Sequence, residues 1–167
     1  MGKHIFITYS AERASAGHVD PNFTQLVYGH SGPNGSMLNN HLEVGSYIFF
    51  NARLGTQRFI TAYFKISKIL RRGDDDVEID ALTCDAKDDK YIFIADRNES
   101  KVLTLPLVFG KELIGKIPSY EADKAYFDRK EKEGRNELMA ISDATLRPHI
   151  ISEEEKDFLI DLCKLRG

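Results

Sequence analysis

The stretch from Gly45 to Arg72 reads Gly-Ser-Tyr-Ile-Phe-Phe-Asn-Ala-Arg-Leu-Gly-Thr-Gln-Arg-Phe-Ile-Thr-Ala-Tyr-Phe-Lys-Ile-Ser-Lys-Ile-Leu-Arg-Arg, and it has the pattern of a β-hairpin. Residues 46–52 are a run of aromatic and β-branched side chains, and a loop around Gly55 reverses the chain. Residues 59–70 then alternate, with Ile60, Ala62, Phe64 and Ile66 on one face and Thr61, Tyr63, Lys65 and Ser67 on the other. A strand of that length is expected to cross the centre of a sheet. Between Ser46 and Arg72 there are six Lys or Arg and no Asp or Glu, in a chain whose formal net charge is −3.

Working outward towards the N-terminus, Lys3 to Tyr9 reads as a strand, with Ile5, Ile7 and Tyr9 on one face and Phe6 and Thr8 on the other. Ser10 to Gly17 is a small, polar loop without periodicity, the kind of connection that often carries function. Asp20 before Pro21 marks a turn. Phe23, Leu26 and Val27 form one short buried face, Tyr28-Gly29-His30 a polar aromatic element, and Gly32 to Gly35 a turn by composition. Ser36 is read as the N-cap of a short helix ending at Leu42, with Met37, Leu38 and Leu42 inward.

Towards the C-terminus, residues 77–82 read as a strand, and Asp85 to Lys90 as a charged, solvated turn, although it contains Asp-x-Lys twice. Tyr91 to Asp96 and Lys101 to Phe109 are strands, Pro106 marking an edge or bulge. Beyond Gly110 the pattern turns helical: a single turn at Lys111 to Ile117, and a charged helix from Tyr120 to Glu133 closed by Gly134. Leu138 to Leu146 is a connecting segment. Ser152-Glu-Glu-Glu is a capping box opening a helix to Leu165, with Phe158, Leu159, Leu162 and Leu165 towards the core.

The 167 residues, 42% of them hydrophobic, suffice for a single domain with residues 111–167 as a mainly helical part. No run of about 18 apolar residues is present to span a bilayer and no signal-peptide order opens the chain, so a cytoplasmic protein without a membrane partner is expected. Cys84 and Cys163 are read as reduced thiols. Charge is segregated: residues 1–73 hold eight Lys or Arg against three Asp or Glu, and residues 74–167 hold fifteen against twenty-three. A basic face on an acidic protein attracts a phosphate backbone locally.

No phosphate-cradling glycine loop, His-Glu-x-x-His or nucleophile elbow is present, so no catalytic residues, metal or cofactor are expected. His18 and Asp20 permit a base with its orienter or two metal ligands, but two residues specify neither. Among the aromatics that crowd into the first 64 residues are Tyr9, Phe23, Tyr28, Tyr47, Phe49, Phe50, Tyr63 and Phe64. Most fill a core that has no Trp, and two or three remain for a flat ligand such as a base.

The segment His18-x-Asp20-Pro21-x-Phe23 followed by Tyr28-Gly29, then Leu42-x-x-Gly45-Ser46-x-Ile48-Phe49-Phe50 and the aromatic strand with Tyr63 and Phe64, resembles the domains associated with nucleotide modification. These belong to the PUA-like group that includes the EVE, ASCH and YTH domains. The resemblance covers roughly residues 3–110. It implies an α+β fold, a PUA-like twisted β-barrel of about five to six strands with flanking helices and a C-terminal helix. It also implies a pocket for a modified or flipped base in DNA or RNA, carried over by position to Tyr9, Ser10, Asn51, Ala52 and Arg53, with Asp20 and Tyr28 close by. The chain departs from the group in having Gly45-Ser46 for its Gly-Asp pair and no Trp for a cage.

The expected function is nucleic-acid binding with recognition of a modified base, in a restriction or nucleotide-modification setting where any nuclease lies on another chain or domain. Tyr9 and Tyr28 would stack, Ser10, Asn51 and Asp20 would bond the base edge, and Arg58, Lys65 and Lys68 would join Arg53 on the backbone phosphates. Two alternatives remain open. One is a small enzyme acting on a nucleotide or modified base through His18 and Asp20. The other is a protein-interaction module using Tyr120 to Glu133.

Overall fold

The computed structural model describes residues 3–10 and 20–167 of the chain. The central hairpin is formed by β3 (Tyr47–Leu54) and the fifteen-residue β4 (Gln57–Arg71), which pair antiparallel. Leu54 lies opposite Gln57, so Gly55 and Thr56 alone make the turn, and Gly55 takes φ +67. A two-residue turn of type II′ requires a positive φ at its first position, which glycine adopts without a Cβ clash. Nothing lies within 4 Å of where a Cβ on Gly55 would sit, so a substitution there costs backbone strain alone. Gly55→Ala is expected to lower stability by about 1 kcal/mol, seen as a lower urea midpoint at unchanged slope.

The alternation on β4 is broken at Thr61. Ala62, Phe64 and Ile66 pack with Ile5, Ile7, Ile48 and Phe50, but Ile60 joins Phe6, Phe49 and Tyr63 on the opposite face. The register steps from Phe50 opposite Ala62 to Asn51 opposite Ile60, which leaves Thr61 as an extra residue. A bulge of one residue exchanges the faces of everything beyond it. The expectation that Ile60 shares a face with Ala62 is corrected accordingly.

Five further strands complete the sheet: β1 (His4–Thr8), β2 (Val27–His30), β5 (Tyr91–Ala95), β6 (Lys101–Val108) and β7 (His149–Ile151). Their order is β2-β5-β4-β3-β1-β7, with β6 also on β4; β1 runs parallel to β3 and antiparallel to β7. Along its edge away from β3, β4 serves two partners in turn. Phe59 to Tyr63 meet β6, and Ile66 to Arg71 meet β5. The exchange falls at Lys65, whose amide donates to Ser100 Oγ (2.9 Å) and whose carbonyl accepts from the Asp96 amide (2.8 Å). The fold is α+β as expected. The sheet is open among the described residues, however, with seven strands instead of five or six, because β2 and β7 form separate ends.

Six α-helices are present among the described residues: α1 (Gly32–His41), α2 (Asp76–Asp80), α3 (Lys111–Ile114), α4 (Lys124–Lys132), α5 (Glu137–Ala144) and α6 (Glu153–Cys163). Leu38 of α1, with Leu42 and Leu26, covers the face that carries Ile5 and Phe50. The other face is covered by Leu113, Ile114, Ile117, Ile141 and Leu159 from the C-terminal part. No helix of the described residues is long and apolar enough to cross a membrane.

Several local readings are corrected. Residues 32–35 are the first turn of α1, where Pro33 lacks an amide that would have had no partner anyway. Residues 76–80 are helical rather than extended. Asp75 Oδ2 accepts from the Arg71 amide, Asp76 Oδ1 accepts from the Gly73 amide, and Arg72 reaches both Asp76 and Asp80, while Val77 is 87% exposed. Helix α4 starts only after Asp123, which accepts from the Tyr126 amide. In α6 the capping box forms as read and Leu159 is buried, but Leu165 lies past the helix end, 87% exposed.

Candidate functional site

The ends of β1 and β3 lie side by side, and the Tyr9 amide extends their ladder by donating to the Asn51 carbonyl (3.0 Å). Here the residues expected to bind a ligand separate onto the two faces of the sheet. Tyr9 belongs to the face of Ile5 and Ile7. Its ring meets Phe23 edge-on at 5.3 Å, and its hydroxyl lies 2.8 Å from Oγ1 of the bulge residue Thr61. Phe23 in turn contacts Phe50 and Phe64 at 5.7 and 5.9 Å, and Tyr28 meets Phe50 at 5.4 Å.

Tyr9 and Phe23 are half-buried, whereas Tyr28 is buried. Ring surface for stacking is therefore offered by Tyr9 and Phe23, with Tyr28 packed behind them. Burial pushes the Tyr9 phenol up. The same effect, followed by the charges of Asp20 and Asp89, raises that of Tyr28 well above its ordinary value, so both remain neutral hydroxyls near neutral pH. Ser10 follows Tyr9 on the exposed surface. The sequence places Phe23 both on a short buried face and among the aromatics from which a flat ligand could draw, since nothing in its spacing separates a half-exposed ring from a buried one.

Asp20 is engaged within the protein. Its Oδ1 accepts from the Gly29 amide (3.0 Å) and its carboxyl hydrogen-bonds to Asp89, which also accepts from Ser31 Oγ (2.9 Å). Burial, together with the negative charges of Asp89 and Asp85, pushes the Asp20 carboxyl up to about 8 against the opposing pull of the Gly29 amide. Gly29 is required here because a Cβ would fall 2.5 Å from Asp89 Oδ2.

Asn51 and Ala52 are both 0% exposed. The expectation that they meet a base is corrected: Asn51, opposite Ile60, continues the face of Phe49 into the interior, where its amide is fully used. Nδ2 donates to the Ile7 carbonyl (3.0 Å) and to Thr8 Oγ1 (3.1 Å), and Oδ1 accepts from Arg58 Nη1 (3.1 Å). Thr8 Oγ1 donates onward to the Thr145 carbonyl (2.9 Å). Arg58 is 8% exposed, and its Nε donates to Ser142 Oγ (3.1 Å), which itself donates to the Leu138 carbonyl (2.8 Å). No carboxylate pairs with Arg58 among the described residues. Burial, and then the neighbouring charge of Arg53, draws its guanidinium down from the ordinary value.

Arg53 lies on the exposed rim, with Nε donating to the Gly55 carbonyl (2.8 Å). It borders a cleft of about 390 Å³ between the hairpin turn and α5, together with Thr56, Asn136, Met139 and Ser142. The sequence pattern gives residues 138–146 only as a connection, whereas the structure makes residues 137–144 the helix that lines the cleft. The available signal was Asn136 three residues before Met139, a cap whose Oδ1 accepts the Met139 amide at 2.9 Å.

Lys65 and Lys68 do not join this group. Lys65 Nζ lies 5.9 Å from the Tyr47 ring and Lys68 pairs with Glu78. At about 3.3 Å per residue, Lys68 is roughly 33 Å along the strand from Arg58. His18 lies outside the described residues.

No protein-family model matches the chain, and no curated protein matches it. Among solved structures, the chain is similar to the N-terminal domain of Thermococcus gammatolerans McrB, in a structure described as bound to m5C DNA. The likeness covers 98% of each chain at 10% identity, with a TM-score of 0.40, and at that level it carries no argument about function.

Proposed function

We propose that the chain binds nucleic acid and recognises a modified or flipped base, with Tyr9 and Phe23 as the stacking surface and Arg53 on a flanking phosphate. One juxtaposition carries this reading. Two half-buried rings, Tyr9 and Phe23, meet beyond the end of β1, while the adjoining hairpin presents on its exposed rim Arg53, which no described carboxylate neutralises. Stacking on an aromatic face contributes about 1–3 kcal/mol per base, and each phosphate contact adds a salt-dependent increment. Ser10, exposed beside Tyr9, meets the base edge. In a restriction or modification setting such a reader directs a nuclease carried on another chain or domain.

The test is a titration with short DNA and RNA oligonucleotides bearing unmodified cytosine, 5-methylcytosine, 5-hydroxymethylcytosine or N6-methyladenine, at two salt concentrations. One modified base is expected to be preferred at both. Tyr9→Ala should weaken that preferred oligonucleotide roughly ten-fold with an unchanged salt slope. Arg53→Ala should weaken all oligonucleotides alike and reduce the slope by roughly 0.7–0.9. Equal affinity for every base in the parent chain, or no loss in Tyr9→Ala, would refute base recognition.

A further inference from the structure

We propose that the cleft between the β3–β4 turn and α5 is a seat for a phosphate monoester, with Arg58 as its buried charge and Arg53 at its rim. The inference rests on the nucleic-acid reading only for where the monoester comes from, a nucleic-acid end or a free nucleotide.

Arg58 is 8% exposed and held by two neutral acceptors, Ser142 Oγ and Asn51 Oδ1, and its Nη2 makes no hydrogen bond to a described residue. Buried charges are ordinarily paired, because an ion removed from water without a partner is strongly disfavoured. The missing partner here is an anion.

The entrance is the cleft of about 390 Å³, whose lining residue Ser142 also holds the Arg58 Nε. That volume matches a small-ligand site. Arg135, although it borders the cleft, is committed to Asp143 through Nε (3.0 Å) and Nη2 (2.8 Å). Two cations therefore remain, Arg53 and Arg58, and they balance the two negative charges of a monoester better than the single charge of a diester. A terminal phosphate also projects from its chain. An internal diester carries sugars on both sides and cannot approach a guanidinium so deeply covered.

The experiment uses the full chain, titrated with inorganic phosphate, with a nucleoside 5′-monophosphate and its nucleoside, and with oligonucleotides with and without a terminal phosphate. The Arg58 Nε resonance is followed by NMR. Phosphate is expected to shift that resonance, and each phosphorylated ligand to bind at least ten-fold tighter than its unphosphorylated counterpart. Arg58→Gln should abolish the difference, and since that variant risks misfolding, Thr56→Glu is the second test. A carboxylate at the rim becomes an internal counter-ion, so Thr56→Glu should lose the phosphate response while raising the melting temperature. Monophosphate binding without any oligonucleotide binding upholds the seat and defeats the nucleic-acid reading. Oligonucleotide binding that ignores both the terminal phosphate and Thr56→Glu overturns the seat and leaves that reading standing. An Arg58 resonance indifferent to millimolar phosphate also overturns it.

Discussion

Asn51→Ala is expected to lower the unfolding free energy by about 3 kcal/mol, among the largest losses for a polar residue in this chain. The side chain is 0% exposed and joins three groups: the Ile7 carbonyl, Thr8 Oγ1 and Arg58 Nη1. Removing it leaves the Ile7 carbonyl and one Arg58 N–H buried without that partner, at about 1–3 kcal/mol each. Urea unfolding with an unchanged slope is the measurement, and a loss below about 0.5 kcal/mol would show that the network does not hold the strand ends. Because Asn51 holds Arg58 rather than a base, the variant should leave base preference unchanged. Selective loss of base discrimination would instead return Asn51 to the pocket and contradict its burial.

The second large effect is on the pH dependence of stability. Asp20 keeps its proton in the folded state up to about pH 8, while in the unfolded chain it ionises near the ordinary value of 3.8. Between those values the folded state binds more protons than the unfolded one, so stability falls as pH rises from about 4 to about 8 and is flat above. Solvent screening and the sharing of the proton with Asp89 reduce the effect, leaving a loss of roughly 2–3 kcal/mol across the window. Asp20→Asn keeps an acceptor for the Gly29 amide and offers an N–H towards Asp89, so it mimics the protonated acid at every pH. It should match the parent near pH 4 and exceed its stability by roughly 2 kcal/mol at pH 8. Parallel pH profiles for the two proteins would show that Asp20 ionises normally.

Both predictions reverse roles that the residues suggest when taken by position. Asn51 and Asp20 are the residue types that bond a base edge, and each sits beside an aromatic run. Tyr9, Ser10 and Arg53 do reach the surface where a ligand would find them, whereas Lys65 and Lys68 are carried away because β4 is long. The alternation that identified β4 also concealed its bulge, since Ile60 and Ala62 are both apolar and suit either face. Likewise, residues 77–82 alternate well enough for a strand. Residues 76–80 form a helix instead, with Asp75 and Asp76 accepting from the Arg71 and Gly73 amides and Arg72 paired to Asp76 and Asp80.

The sequence by itself determined the strands β1, β3, β4, β5 and β6, the turn at Gly55 and the cap of α6. Each rests on interactions within a few residues: side-chain alternation, a positive φ, and a serine three positions before a glutamate. Tertiary structure alone decided which polar groups are spent and which remain. Arg58 meets Ser142 across 84 residues, Tyr9 meets Thr61 across 52, and Thr8 meets Thr145 across 137. Burial and hydrogen-bond satisfaction are properties of such distant encounters, and no local pattern encodes whether an arginine will find a carboxylate or be left, as Arg58 is among the described residues, without one.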